Sequence, residues 1–304
     1  MNYGNNLMIN ITDPSKWLEI NQNILGNRLI NQIIIPGTHN SVAYTICDDQ
    51  FTELPLKYKI FSNTIFSKWA ITQSYTILEQ LRMGVRYLDL RISFAPSQIG
   101  LNRFYASHTF ALITLTSFLD QVKQFLTESP NEFLIINTRI DHLQQNKNNI
   151  TDTLKHDALE YIKYSLNTLL VPKQIFFPTY NEVLNNGIAR IFLFTANLWL
   201  PSMIHIPWID TYDIETKVNF TIEHQKHFQP TKLNGLSATI TPNLNTILQH
   251  TFTMGLTNNF NDNTHSIQSI ILDHAKLNNQ FISLIETDFI NQNYINNIIL
   301  LNNK

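Results

Sequence analysis

Short apolar runs rich in β-branched residues alternate with helical patterns along most of the chain, and this alternation limits the possible folds more than any other feature. Strands that alternate with helices over about 250 residues indicate a parallel sheet, either open or closed into a barrel. The apolar runs predict strands at Leu29–Ile35, Val85–Ile92, Arg103–Ser107, Phe133–Thr138, Arg190–Phe194, Leu236–Ile240 and Phe281–Glu286.

Helical patterns lie between these runs. One begins at a predicted Thr72 cap and stops at Gly84, and another starts near Leu115 and is followed by Pro130. The stretch Leu198–Glu223 has no regular pattern, so we expect it to be irregular. A further helix is predicted from apolar residues that share one face: Leu154, Ala158, Tyr161, Ile162 and Leu166.

The chain contains neither of the two common glycine-rich phosphate-binding loops, which argues against dinucleotide-binding and P-loop folds. The sequence therefore predicts an α/β protein with a (β/α) barrel of TIM type. No linker rich in Pro, Gly or Ser and no internal repeat interrupts the pattern, so we expect residues 1–304 to form a single domain.

Composition excludes several classes of protein. The 304 residues carry a formal net charge of -2, which argues against a nucleic-acid binder because phosphate contacts need clustered Lys and Arg. Cys47 is the single cysteine, so a disulfide framework and a cysteine zinc site are excluded.

The sequence indicates peripheral rather than integral membrane contact. The N-terminus lacks the basic and apolar regions of a cleavable signal peptide, and no stretch approaches the ~20 apolar residues of a spanning helix. The compartment stays open between the cytoplasm and export without a cleavable signal, and the oligomeric state is not predicted.

Polar side chains stand at the ends of the predicted strands, where the chemistry of a barrel enzyme is located. Two imidazoles, two carboxylates and two guanidiniums suit phosphoryl transfer, with one imidazole as base, the other as acid and an arginine on the phosphate. These residues are His39, Asp89, Arg91, His108, Arg139 and Asp288.

Each of these residues, taken alone, also has a structural interpretation. His39 follows Pro36-Gly37 and is compatible with a loop residue, while Asp89 and Arg91 are compatible with a structural ion pair. The other eight histidines, among them His142, His205 and His274, show no metal-site spacing and are interpreted as structural.

With those residues assembled, the sequence resembles the X domain of phosphatidylinositol-specific phospholipase C, of the metal-independent type. "LINQIIIPGTHNSVAY" is similar to the first motif of that family, and "KWAITQSYTILEQLRMGVRYLDLRIS" is the most specific stretch. "FYASHTF" and "PNEFLIINTRI" continue the resemblance, which spans about residues 14 to 300. It places the motif-bearing core at about 22–200 and the strands that complete the barrel at about 230–304.

The resemblance implies a distorted barrel that cleaves the glycerol–phosphate bond of inositol phospholipids at a membrane surface. His39 would be the base that acts on the inositol 2-hydroxyl, and His108 the acid that protonates the departing glycerol oxygen. Arg91 would bind the phosphate, with Asp89 holding that arginine or a histidine. The remaining two positions would orient His39 and bind inositol: Asp288 and Arg139.

The same resemblance decides the expectation about metals. Related signalling enzymes have an acidic calcium ligand where this chain has Arg91, and a guanidinium next to Ca²⁺ is electrostatically unfavourable. Asn40 and Asp89 could supply oxygen ligands, but Arg139 replaces a third acidic one. We therefore expect no metal and no other cofactor.

Two departures from the family pattern keep alternatives open. Asn40 stands where metal-independent members usually have Asp, and Thr195-Ala196-Asn197 provides no second inositol-binding arginine. The first departure predicts reduced activity, and the second leaves the head-group specificity open. The alternatives are a weakly active or non-catalytic lipid-binding module on the same barrel, and a metal-dependent barrel of glycerophosphodiesterase or sphingomyelinase type.

Overall fold

A computed structural model describes residues 8–52, 67–95, 100–140, 152–195, 199, 201–242, 246–247 and 258–303. Strands β1 to β10 are Ile35–Thr38, Asp48–Thr52, Tyr87–Phe94, Phe104–His108, Phe110–Thr114, Leu134–Ile140, Ile191–Phe194, Ile204–His205, Leu233–Ala238 and Leu284–Thr287. Helices α1 to α10 are Trp17–Ile20, Gln22–Leu25, Ser67–Ala70, Ile77–Arg82, Leu115–Glu128, Asp152–Leu166, Tyr180–Asn185, Ile214–Gln225, Asn258–Leu277 and Gln292–Leu300.

The strands form one curved sheet whose parallel part runs in the order β8-β9-β10-β1-β3-β6-β7. Strand β1 lies between β3 and β10, so the first and last strands of the chain are neighbours. This is the predicted barrel of TIM type. The division into a core and completing strands within one domain over 1–304 stays a prediction.

An antiparallel extension distorts the barrel. Strand β4 pairs antiparallel with β3, β5 pairs with β4, and β2 pairs with β5. The sequence placed Arg103–Ser107 in the barrel pattern, which is wrong, because the chain turns back on β3 instead of crossing over a helix. The β4–β5 turn is a single residue, Thr109, with φ of +62°, and a turn this short gave no recognisable signal.

The first strand begins later than predicted. The run from Leu29 to Ile35 was expected to be extended, but Ile30–Gln32 is a 3₁₀ turn in which Gln32 accepts a hydrogen bond from the Leu29 amide at 3.0 Å. The strand instead continues through Pro36 and Gly37. A Cβ on Gly37 would lie 2.6 Å from Leu284 Cδ1 and 2.8 Å from Tyr87 Cδ1, so glycine is required where neighbouring side chains fill the barrel.

The start of one helix and the irregular stretch Leu198–Glu223 were also predicted wrongly. The helix after residue 72 is capped by Thr76, whose side chain and that of Glu79 form a capping box, and Thr72 lies outside it. The supposedly irregular stretch contains β8 and α8, which begins after an Asp213 cap. Gly84 does end its helix, with φ of +113°.

Helices cover the outside of the sheet with apolar faces. Helix α5 buries Leu115, Phe118, Leu119, Val122, Phe125 and Leu126, as its spacing predicted. Within the described ranges no helix combines the length and the hydropathy needed to cross a bilayer. The prediction for His142 lies outside the described residues.

Candidate active site

His39 follows β1 and lies between two charged partners. Its Nδ1 is 2.9 Å from Asp288 Oδ1, and its Nε2 is 3.1 Å from Arg91 Nη2. A guanidinium can only donate, so Nε2 accepts and Nδ1 carries the proton that Asp288 accepts. His39 and Asp288 are 249 residues apart in the sequence, and the pairing of β1 with β10 brings them together. This tautomer leaves the lone pair of Nε2 on the side of Arg91, in the form that can accept a proton.

Asp89, Arg91 and Arg139 form one charge cluster on β3 and β6. Arg91 and Arg139 stand opposite each other in the register of these strands. Asp89 Oδ1 accepts from Arg139 Nη2 at 3.0 Å, and its Oδ2 lies 3.4 Å from Arg91 Nε. Burial would raise the pKa of Asp89, but the two guanidiniums and His39 hold it well below its usual range. Asp89 thus contacts both guanidiniums, and their positive charges keep its carboxylate ionised.

His108 faces His39 from the antiparallel extension. The two rings are 6.5 Å apart between centroids and nearly perpendicular, at 71°. His108 Nδ1 donates to the carbonyl of Ala70 at 2.8 Å, which leaves Nε2 for another partner. Burial, and then the charge of Arg91, lowers the pKa of His108 to about 3. His108 is therefore neutral in this state, and a bound anion would favour its protonation.

Asn40 connects the base to the charge cluster through its backbone. Its φ is +43°, in the left-handed region that asparagine tolerates, and its N–H donates to Asp89 Oδ2 at 3.1 Å. Its side-chain Nδ2 is 3.5 Å from His39 Nδ1, and its buried Oδ1 has no hydrogen-bond partner among the described residues. The side-chain amide thus lies next to His39.

Two buried glutamines, which were not predicted as site residues, hold the loop that carries His39. Gln73 Nε2 donates to the carbonyls of His39 and Thr287 at 2.9 and 3.1 Å, so it joins the ends of β1 and β10. Gln80 accepts from Thr38 Oγ1 and donates to the Ser41 carbonyl, both at 2.8 Å. The only available signal was their recurrence in the family motif.

Trp208, Lys217 and Glu286 adjoin the site and were also missed. The Trp208 ring lies 4.8 Å from the His39 ring, and Lys217 Nζ is 4.3 Å from the Trp208 centroid. Burial lowers the pKa of Lys217 to about 8, against the raising effect of Glu286 and Asp288, and burial raises the pKa of Glu286. Glu286 and Asp288 have the alternating spacing that marks one face of β10, which is the signal that could have found Glu286.

The donor set does not fit a divalent metal. Asp89 is the buried carboxylate nearest to Asn40, and both of its oxygens already interact with guanidiniums. No group of three or more His, Cys, Asp or Glu residues within the described ranges could hold a metal ion. A cation placed beside Arg91 and Arg139 would be repelled by both of them.

The arrangement can act on a phosphodiester. The imidazoles of His39 and His108 face each other with their ring centroids 6.5 Å apart. The lone pair of His39 Nε2 points to Arg91, and His108 bonds to the Ala70 carbonyl through Nδ1. Arg91 stands beside His39 and supplies a permanent positive charge. Groups of the kinds that act as acid, base and anion stabiliser thus lie together at this end of the barrel.

Comparison with known families decides the assignment. The family model described as PI-PLC X 1 matches residues 46–286, which is most of the chain. The chain belongs to the PI-PLC X 1 family. This confirms the resemblance found in the sequence. His39 and Asn40 lie just before the matched region of this PI-PLC X 1 protein.

Relatives of this PI-PLC X 1 protein are known in several organisms. A PI-PLC X domain-containing protein of Dictyostelium discoideum is 31% identical over 113 residues, 37% of this chain and 19% of the relative. The variant-surface-glycoprotein phospholipase C of Trypanosoma brucei brucei is 28% identical over 195 residues, 59% of this chain and 52% of the relative. The 1-phosphatidylinositol phosphodiesterase of Staphylococcus aureus strain Newman is 27% identical over 218 residues, 68% and 61% respectively. The chain spans less than two thirds of the length of each of these relatives.

Solved structures share the fold. Phosphatidylinositol-specific phospholipase C of Listeria monocytogenes superposes with a TM-score of 0.65 at 16% identity, over 95% of this chain and 98% of that one. A phosphatidylinositol-specific phospholipase C of Staphylococcus aureus gives 0.69 at 18% identity, over 96% and 98%. The PI-PLC X 1 protein therefore has the same barrel architecture as these bacterial enzymes.

Proposed function

We propose that this protein is a metal-independent phosphodiesterase that cleaves phosphatidylinositol-type lipids by the phospholipase C reaction. The observation that carries the proposal is the facing pair His39 and His108, 6.5 Å apart, with Asp288 on the first and Arg91 beside it. The names of the relatives, phospholipase C and phosphatidylinositol phosphodiesterase, support the substrate class.

The reaction starts at His39. Its Nε2 takes the proton of the inositol 2-hydroxyl, and that oxygen attacks phosphorus to form a five-membered cyclic phosphodiester. Asp288 accepts a hydrogen bond from Nδ1–H, so it keeps the ring oriented and stabilises the imidazolium that forms. The hydrogen bond from Arg91 to Nε2 must give way first, and the phosphate of the substrate is the competing acceptor.

The departing glycerol oxygen needs a proton, which His108 would supply from Nε2 to release diacylglycerol. The pKa of about 3 in the absence of substrate requires that a bound phosphate raise it, since a nearby negative charge favours the imidazolium. Arg91 would stabilise the charge that develops on the phosphate oxygens. Such a fixed cation contributes on the order of 10²–10³ in rate.

Arg139 is the proposed contact to the inositol ring. Its side chain is 49% exposed at the barrel mouth while still bonded to Asp89, so it can bind a ligand without losing its counter-ion. The C-terminal ends of the parallel strands would then face the bilayer, with the lipid held peripherally. This is the membrane contact we propose.

An assay with phosphatidylinositol vesicles in EDTA tests the proposal. Release of water-soluble inositol phosphate is expected from the wild type and from His156→Ala, a control at an exposed histidine on α6. His39→Ala should reduce release by about 10²–10⁴. Release by His39→Ala equal to that of the control would contradict the mechanism.

The same assay separates the alternatives. Release that needs added Ca²⁺ would contradict metal independence and favour the metal-dependent barrel. No release under either condition, combined with co-sedimentation of the protein with the vesicles, would favour the lipid-binding module.

A further inference from the structure

A second cavity lies at the end of the barrel opposite to His39. Its volume is about 420 Å³, and it opens between the N-terminal ends of strands β1, β9 and β10. None of the proposed catalytic groups belongs to its lining, so this cavity is a different site. Its polar lining comes from Arg28, Asn31, Gln32, Lys232 and Asn234.

The charged side chains that line the cavity are all positive. Arg28 and Lys232 contribute two cations, three side-chain amides accompany them, and no carboxylate belongs to the lining. Neither cation forms an ion pair with any residue in the described ranges. A concave surface with two uncompensated cations attracts anions.

Arg28 differs from the other arginines of the described chain. Its Nη1 is buried and has no hydrogen-bond acceptor there. Burial lowers the pKa of Arg28, and no neighbouring carboxylate opposes that effect. Each of the others has a carboxylate, carbonyl or imidazole partner: Arg82, Arg86, Arg91, Arg103, Arg139 and Arg190. A half-buried guanidinium without an acceptor is costly unless a ligand supplies one.

The walls of the cavity are fixed before any ligand binds. Asn31 Nδ2 donates to the carbonyls of Pro230 and Lys232 at 2.8 and 3.2 Å. Asn234 Nδ2 donates to the Phe281 carbonyl at 3.0 Å. These bonds hold the segments before β1, β9 and β10 together, so a ligand would not have to order them.

The charges of the lining describe the ligand. Arg28 and Lys232 line the cavity and no carboxylate accompanies them, so a ligand that accepts hydrogen bonds strongly fits. A phosphate monoester is such a ligand, because its oxygens accept from guanidinium and ammonium groups. Phe281, which is 41% exposed at the rim, adds an apolar contact.

We propose that this cavity binds the phosphate group of a small, water-soluble phosphate monoester. The choice of a soluble ligand over a lipid head group rests on the proposed function, which turns the opposite end of the barrel towards the bilayer. A lipid of that bilayer could not reach Arg28 and Lys232. Binding at the cavity itself does not depend on catalysis.

Calorimetric titration with inorganic phosphate and with glycerol 2-phosphate, at constant ionic strength, tests the proposal. The titrations use Arg91→Gln protein, so that the proposed catalytic phosphate site does not contribute. One saturable site is expected for both probes. Adding Arg28→Met should weaken binding about tenfold or more, the effect of losing a charge-assisted hydrogen bond.

The matched control is Arg82→Met, which removes an exposed arginine that pairs with Glu128 and does not belong to the cavity lining. It should leave the affinity unchanged, and Lys232→Met should weaken binding less than Arg28→Met does. Absence of saturable binding, or equal affinities for Arg28→Met and Arg82→Met, would overturn the proposal.

Thermal unfolding checks that the variants fold. Without phosphate, Arg28→Met should melt no lower than the wild type, because its guanidinium has no acceptor to lose. Phosphate should raise the melting temperature of the wild type and not that of Arg28→Met. An equal rise in both proteins would place phosphate elsewhere and overturn the assignment.

Vesicles of phosphatidic acid and phosphatidylcholine distinguish the source of the phosphate. Arg28→Met and Arg82→Met should co-sediment with them to the same extent. A selective loss for Arg28→Met would assign the cavity to a lipid head group and overturn the soluble ligand. If no inositol phosphate is released while phosphate still binds, the proposed function is contradicted and the phosphate site is still supported.

Discussion

Two charge clusters occupy opposite ends of the same pair of strands, β3 and β6. Arg86 and Glu132 precede these strands, and both side chains are completely buried. Arg86 donates to Glu132 and to the carbonyls of Leu81, Val85 and Ser15, while Glu132 accepts the amides of Leu18 and Glu19. At the other end, Asp89 is buried but the side chains of Arg91 and Arg139 remain 22% and 49% exposed.

The difference shows that burial alone does not distinguish a charged group with a structural role from one in the proposed active site. The Arg86 cluster pairs one cation with one anion and surrounds them with backbone partners. The Asp89 cluster joins two guanidiniums to one buried carboxylate and leaves both guanidiniums partly exposed. Partly exposed guanidiniums next to two imidazoles distinguish the proposed site from a buried ion pair.

The largest effect is expected at the Arg86 cluster, the buried ion pair. Glu132→Gln leaves Arg86 buried without a counter-ion, which should lower the free energy of unfolding by about 3–5 kcal/mol. Urea denaturation measures this change. Glu128→Gln, at the exposed partner of Arg82, is the control and should lose under about 1 kcal/mol. Equal losses of unfolding free energy in the two variants would show that the buried ion pair contributes no more to stability than the exposed one.

At the Asp89 cluster, Arg91→Gln should reduce the rate of inositol phosphate release by about 10²–10³. Its loss of stability should be smaller than that of Glu132→Gln, because Asp89 keeps Arg139 at 3.0 Å and the Asn40 amide at 3.1 Å. Arg139→Gln, one strand away in the same register, is the matched variant. We expect it to change substrate affinity more than turnover, and an equal loss of turnover would argue against the separate roles.

His108, which lies beside the Asp89 cluster, should make the stability of the fold depend on pH. Its folded pKa of about 3 lies below the ordinary value of 6.5, so the unfolded chain takes up the proton first as pH falls. The wild type should therefore lose stability relative to His108→Gln between about pH 6.5 and 3. Melting temperatures across this range measure the difference. The exposed His156→Gln is the control, and an identical pH dependence of all three proteins would contradict the lowered pKa.

The smallest effect is expected at Asn40. Asn40→Asp places a carboxylate near His39, where it favours the imidazolium that forms when the proposed base takes up a proton. Activity should therefore rise by no more than about tenfold, the equivalent of one pKa unit. Asn137→Asp adds the same charge on β6, where the residue bonds to Tyr87, and controls for charge alone. A fall in activity for Asn40→Asp alone would show that the amide suits this site better than the acid.

The barrel and the charge cluster could be read from the sequence because both leave a periodic trace. Tyr87, Asp89 and Arg91 alternate with apolar residues, so polar side chains on the inner face of a buried strand stood out. The family motif then connected His39 to Asp288 across 249 residues, which no local pattern could have done. The roles assigned to these residues stay predictions.

Other features left no local trace. Lys217 lies on α8 like an ordinary surface lysine, and only the packing of Trp208 shows that it is fully buried beside the site. The late start of β1 depends on Asn31, whose amide bonds to Pro230, about 200 positions away. The surroundings of Arg28 depend in the same way on segments far apart in the chain. Tertiary contacts of this kind override local preference.

The pairing of β1 with β10 has a consequence for biosynthesis. His39 leaves the ribosome before its carboxylate partner, which is 249 residues further along the chain and follows the strand that pairs with β1. Until Asp288 has been synthesised, the nascent chain contains both imidazoles and both arginines without the carboxylate that orients His39. A chain that stops before Asp288 would carry most of the family motif and still lack this partner of the proposed base.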